Sequence, residues 1–212
     1  MPDPSRLALF VGAALALLAV PGPAVLYIVT QSIGGGRRAG LMCTLGIHTG
    51  TLVHVTAATV GLSALLASSA LAFDVVKYLG GAYLVVVGVR RLLGLDRRDG
   101  PAAPVPRSRG SLYRQGIVVN VLNPKTALFF LAFLPQFVDP SRGTPWVQIL
   151  ALGLLFSVLG VLSDATWALV AGTLGERLRH STRFPHIQRY VSGTVFVGLG
   201  AVAAFTAPVR RA

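Results

Sequence analysis

The chain carries few groups able to do chemistry inside its apolar stretches, and they are of a restricted kind. Asp164 is the only acidic residue deep in such a stretch. Lys77 and Lys125 are the only lysines, and both lie within or at the edge of apolar runs, whereas every other cation is an arginine, most of them in the connections expected on the cytoplasmic side. His48 and His54 sit in a further run, six residues apart and so not on one helical face. A charge at the depth of a bilayer costs about 2.5–3.5 kcal/mol even on insertion scales, so each such group calls for a partner or a task. Asp164 either pairs with a cation, Lys125 or His54, or takes up a proton, and both options make it a candidate proton relay or cation-binding group. His54 shares a stripe with Gly46, Gly50, Ala57 and Gly61 and is the second proton-coupling candidate; His48 is as well suited to hydrogen bonding with Thr44 and Thr51. Lys77, beside Asp74, can snorkel to the interface. Lys125 follows Asn120, Asn123 and Pro124 and is the better site candidate.

Two prolyl interruptions surround these groups. Pro21-Gly22-Pro23 and Asn123-Pro124-Lys125 each fall inside an apolar run, about half a chain apart. Proline lacks the N–H that closes a helical turn and clashes with the carbonyl four residues back. Pro21 and Pro23 would release the carbonyls of Leu17 and Ala19, and Pro124 that of Asn120. Irregular backbone at membrane depth is tolerated only against protein or a wet cavity, and paired breaks in two halves point to a transporter's binding site. Pro21, Gly22, Pro23, Asn120, Asn123, Pro124 and Lys125 are therefore the expected substrate-binding set. The competing reading is a pair of packing kinks.

These features need elements that cross a bilayer, and composition supplies them. Of 212 residues 53% are apolar and only 12% charged, with a mean hydropathy of +0.68, unlike a soluble domain. Six runs reach the roughly 20 residues that span a hydrocarbon core: about 7–29, 41–62, 75–93, 115–138, 146–174 and 190–207. Continuous runs such as LALFVGAALALLAV are helical rather than the short alternating segments of a barrel. The first run opens after Arg6 as a signal peptide does, but it leads into PGPA without a small-residue cleavage pattern.

The net charge of +12 reads as topology rather than as a nucleic-acid surface. Thirteen of the arginines fall at the connections after runs one, three and five, counting Arg90 and Arg91 at the end of run three. That side is expected to be cytoplasmic, with both termini outside. The expectation is an all-α integral membrane protein of six transmembrane helices. They form two inverted three-helix repeats, with helices one and four broken at PGP and NPK. Residues 1–94 form the first half, 95–114 a flexible cytoplasmic linker rich in Pro, Gly and Arg, and 115–212 the second half, in a single membrane domain.

Span five repeats small residues at Gly153, Ser157, Gly160, Asp164, Ala168 and Ala171. Such stripes bring helices close, within a chain or in a homodimer. No metal-ligand set, phosphate loop, nucleophile–base pair or cofactor motif is present in the sequence. The lone Cys43 also excludes a thiol-electron carrier, which needs paired cysteines.

The segments PGPAVLYIVTQSIGGGRRAGL (21–41), LGIHTGTLVH (45–54), KYLGGAYLVVVGVRRLL (77–93) and QGIVVNVLNPKTALFFLAFLPQFVDP (115–140) together resemble the LysE/RhtB family of amino-acid exporters, the threonine, homoserine and leucine efflux type. His48 departs from the small residue expected at its position. The resemblance implies a secondary exporter of the bacterial inner membrane, driven by protons, that moves an amino acid or derivative out of the cytoplasm. The alternatives are export of another small metabolite or ion, or a non-transporting membrane assembly partner.

Overall fold

The computed structural model describes residues 4–68 and 108–179, with residues 75, 78, 79, 82, 85, 86, 89, 90, 92–95, 190, 194 and 197. Each described position from Val75 to Leu93 is helical. Asp74, Lys77, most of the 95–114 linker and most of the sixth expected span lie outside the described residues. Among the described residues all regular structure is helical.

The first helix, α1, runs over Pro4–Ala19 and stops at the PGP triplet. Pro23 then opens α2, Pro23–Ser68, because proline at a first helical position gives up only an N–H that has no partner there anyway. At 16 residues α1 is about 24 Å long, too short to cross alone, so the first expected span is two half-helices.

The GGGRR segment, expected as a loop, is a one-residue corner. Gly36 has φ 74° and ψ −178°, a conformation open to glycine and strained for other residues, and helix resumes at Arg37. The two arms, 23–35 and 37–68, fold back on each other there. A Cβ on Gly40 would collide with the Ser32 hydroxyl, although eight residues of straight helix would hold the two about 12 Å apart.

Helix α3, Arg109–Val121, is capped by Ser108, whose hydroxyl accepts the Ser111 N–H. The last residues of the expected linker are therefore already helical. Pro124 restarts the chain as α4, Pro124–Leu128, which continues through a π-helical turn, Phe129–Phe133, and a 3-10 turn, Leu134–Phe137. The two pieces meet at 46°, so span four is bent at NPK as its proline requires. Helix α5, Pro145–Arg179, is kinked at Leu174, and its part Pro145–Leu174 is long and apolar enough to cross a membrane.

Packing directions follow from which residues touch. On α5, Gly153, Gly160 and Gly172 lie against Val55, His48 and Arg37, an antiparallel register that the Gly40–Ala168 contact shares. Gly46 and Gly50 of α2 instead meet Tyr113, Ile117 and Asn120 of α3, which runs parallel to them. The stripe on α5 is thus filled from within the chain.

Two polar ties join ends that the basic-residue count had grouped together. Arg6 bridges Asp139 at 3.2 Å at one end, and Arg37 Nε donates to Thr173 Oγ1 at 3.0 Å at the other. The core between them is aromatic, built from Phe10, Phe129, Phe130, Phe133, Phe137 and Phe156, with Phe129 and Phe156 stacked at 4.2 Å. Outward faces of α2 and α5 expose Leu52, Val53, Val60, Leu154, Val158, Leu162 and Leu169, an apolar surface suited to lipid or further helices.

Candidate functional site

Asn120 organises the second break. Pro124 cannot close the helical bond to the Asn120 carbonyl, which instead accepts from Asn123 N–H at 3.0 Å and from His54 Nε2, also at 3.0 Å. A carbonyl only accepts, so His54 carries its proton on Nε2. The Asn120 side chain donates to the Ile47 carbonyl at 2.9 Å and to Thr51 Oγ1 at 2.8 Å, and accepts from Thr126 Oγ1 at 3.0 Å. Asn123 caps α4 through Lys125 N–H at 3.1 Å. Asn120 is 1% exposed, so this network replaces water entirely.

The first break is closed from the second. The Leu17 carbonyl, expected to be released by Pro21, is retaken by Val20 N–H at 3.1 Å. The Val20 carbonyl accepts Lys125 Nζ at 2.5 Å, so the cross-link lands on Val20 rather than on Leu17 or Ala19. Gly22 admits the lysine stem: a Cβ there would stand 2.9 Å from Lys125 Cδ. Pro21 and Pro23 shape this break, and Pro124 shapes the other.

Asp164 on α5 is met by His48 of α2, Nε2 to Oδ2, at 3.1 Å. The pair is buried, with His48 7% and Asp164 4% exposed. Gly160, one turn before Asp164, makes room for the imidazole, since a Cβ there would lie 2.5 Å from His48 Cε1.

One cavity of about 30 Å³ joins these parts. Gly22, Asn120, Asn123, Lys125, His48 and Asp164 supply its polar wall; Leu17, Leu18, Val25 and Phe156 close the rest. By the roughly 10–15 Å³ that one water needs, it has room for about two waters and not for an amino acid.

The expected site residues are thus partly gathered. Gly22, Asn120, Asn123, Lys125 and Asp164 line one space. His54 does not line it: its ring stacks on Phe130, centroids 6.0 Å apart, and its N–H is committed to Asn120. The hydrogen-bonded partner of Asp164 is His48, not His54. His48, Thr51 and Thr126 are the lining groups that sequence reasoning left out of the site. A signal for the first two existed, since Thr44, His48 and Thr51 form a polar stripe on an apolar helix, and all three are buried. Among the described residues no cluster of ligands fit for a metal ion occurs.

Comparison with known proteins extends over the same residues. A family model described as LysE type translocator matches residues 15–206. The homoserine/homoserine lactone efflux protein of Salmonella typhimurium is 30% identical, over 87% of this chain and 88% of its own length. The leucine efflux protein of Klebsiella pneumoniae is 28% identical over 90% of each chain. A Vibrio cholerae protein described as an uncharacterized membrane protein is 29% identical, over 87% of this chain and 89% of its own. No solved structure matches.

Proposed function

The chain belongs to the LysE type translocator family, transporters rather than enzymes, and on that premise we propose that it exports an amino acid or a close derivative from the cytoplasm by proton antiport. The observation that carries this reading is the meeting of both helix breaks with Lys125, His48 and Asp164 at one buried cavity. The relatives named for homoserine and leucine efflux point to a small amino acid as the cargo class.

The charges in that cavity match a zwitterion. A substrate carboxylate takes the Lys125 ammonium from the Val20 carbonyl and meets the N-terminal backbone of α2 near Ala24. The substrate ammonium meets Asp164. Proton uptake from outside weakens that contact and releases the cargo. The cavity must widen to admit an amino acid, and the breaks at PGP and NPK are the joints about which half-helices tilt.

In this reading six spans form two inverted three-helix repeats in the bacterial inner membrane, with the arginine-rich connections cytoplasmic and both termini outside. The parallel packing of α2 on α3, the antiparallel packing on α5 and the two end ties are in keeping with that alternation. The test is counterflow in proteoliposomes loaded with unlabelled amino acid. Radiolabelled leucine or homoserine is expected to exchange across the membrane. Failure of every proteinogenic amino acid and of homoserine to exchange would overturn the reading in favour of a non-transporting partner.

A further inference from the structure

His48 offers a proton-accepting atom that the mechanism above has not used. Its Nε2 faces Asp164 Oδ2 at 3.1 Å, while Nδ1 is buried and has no hydrogen-bond partner among the described residues. An ionised carboxylate only accepts, so opposite it Nε2 carries the hydrogen and Nδ1 presents a bare lone pair. Opposite an ionised Asp164, the imidazole thus keeps one vacant basic site, Nδ1.

The surroundings leave this pair as the acid–base element of the cavity. From α1 come Leu17 and Leu18; from the first break, Gly22; from α2, Ala24 and Val25 at its start, then Ile47 and Thr51. Asn120 and Asn123 face it from the second break, Lys125 and Thr126 from α4, and Phe156 from α5. Among the described residues, Lys125 is the one other titratable residue lining the space. The His54 N–H is held by the Asn120 carbonyl, outside the cavity wall.

We propose that Nδ1 of His48 is the atom that takes the exchanged proton, and that Asp164 is at once its orienting anion and the seat of the substrate ammonium. The inference rests on the exporter reading above. The step is a simple proton transfer: an O–H bond of a hydronium ion from the outer solution breaks, an N–H bond forms on Nδ1, water is left, and the pair passes from one negative charge to none. A proton and a substrate ammonium then compete for the same negative charge, which by itself yields antiport.

The experiment follows purified full-length protein labelled with ¹⁵N-histidine from about pH 9 to about pH 5, with His48→Gln to assign the resonances. Nε2 is expected to stay protonated throughout and Nδ1 to gain its proton within the range. Saturating leucine or homoserine should move that midpoint to lower pH. Reciprocally, the apparent Kd for the amino acid should rise about tenfold per pH unit below the midpoint, and His48→Gln should flatten that slope. An imidazole that keeps one charge state across the range overturns the inference, as does an undiminished slope in His48→Gln. Should His48→Gln fail to fold or to bind, the shift of the wild-type midpoint by amino acid decides alone: a midpoint that stays fixed while leucine or homoserine exchanges in counterflow overturns the inference. If Nδ1 titrates as stated but no amino acid moves it or exchanges in counterflow, the exporter reading falls and the acceptor assignment stands.

Discussion

Lys125 Nζ donates to the carbonyl oxygen of Val20, 105 residues away, at 2.5 Å. The bond ties the two interrupted helices at their breaks, one supplying a stray carbonyl and the other the cation that satisfies it. In the proposed mechanism a substrate carboxylate that draws Lys125 away would also untie the breaks, so that binding and helix movement would share one contact.

Lys125→Met keeps most of the stem that lies against Gly22 and removes the charge. A hydrogen bond from a charged group contributes about 1.5–3 kcal/mol, so the apparent affinity for leucine should fall roughly tenfold to a hundredfold. Leucinamide, which lacks the carboxylate, should bind the variant and the wild type alike. Calorimetric titration of both ligands measures the ratio, and equal losses for both would remove Lys125 from the carboxylate site.

Asp164→Asn retains an oxygen to accept from His48 Nε2 and loses the negative charge. Efflux of labelled leucine driven by a pH gradient in proteoliposomes should fall to the rate of protein-free vesicles. Full gradient-driven efflux in the variant would dismiss Asp164 as the coupling anion.

Gly160→Ala sets a methyl where the His48 imidazole now lies. Overpacking costs about 1–3 kcal/mol, offset by about 1 kcal/mol of helix propensity, so thermal stability in detergent should drop modestly while transport drops steeply. Adding His48→Ala should restore the stability, with a coupling of about 0.5–3 kcal/mol in a double-mutant cycle. Additive losses would show that the two residues do not share the space.

Asn120→Ala leaves Thr51, Thr126 and the Ile47 carbonyl without their common partner. The expected loss is about 2–4 kcal/mol, read as a lower Tm and faster proteolysis. The His54 contact, which uses the backbone carbonyl, should survive and keep the His54 ring signal unchanged.

Asp139 lies outside the spans, and the hydrogen bond from Ser141 Oγ holds its carboxyl below the usual carboxylate range. Partial burial opposes that shift, while the Ser141 N–H, Arg6 and Arg142 add to it. A carboxylate with a lower value in the folded state stabilises the protein above its unfolded value, and the contribution fades as pH falls through the folded one. The Tm difference between wild type and Asp139→Asn should therefore be present near neutrality and shrink below about pH 4. A difference that is constant or grows in acid would contradict the assignment.

The two or three long apolar helices among the described residues and the breaks were legible in the sequence because their causes are local. Run length sets which helices reach across a bilayer, and a proline ring forbids its own helical bond wherever the chain goes. The release of the Asn120 carbonyl by Pro124 followed from covalent geometry alone, and the structure shows what takes it up. The glycines of the GGG run gave no such certainty. Only the fold makes Gly36 a sharp corner instead of a loop, because the close approach of Ser32 and Gly40 forces the turn into one residue.

What only the tertiary structure decided was the partnering of stripes. Helix α2 carries two inward faces. Gly46, Gly50 and His54 meet α3, while Gly40, His48 and Val55 meet α5. A sequence shows both faces but not which neighbour each one finds, since helix pairing is settled by side-chain shape over the whole interface. The antiparallel register with α5 brings His48 to Asp164 across 116 residues and turns His54 to a backbone carbonyl, and with that choice the buried His48–Asp164 contact was fixed.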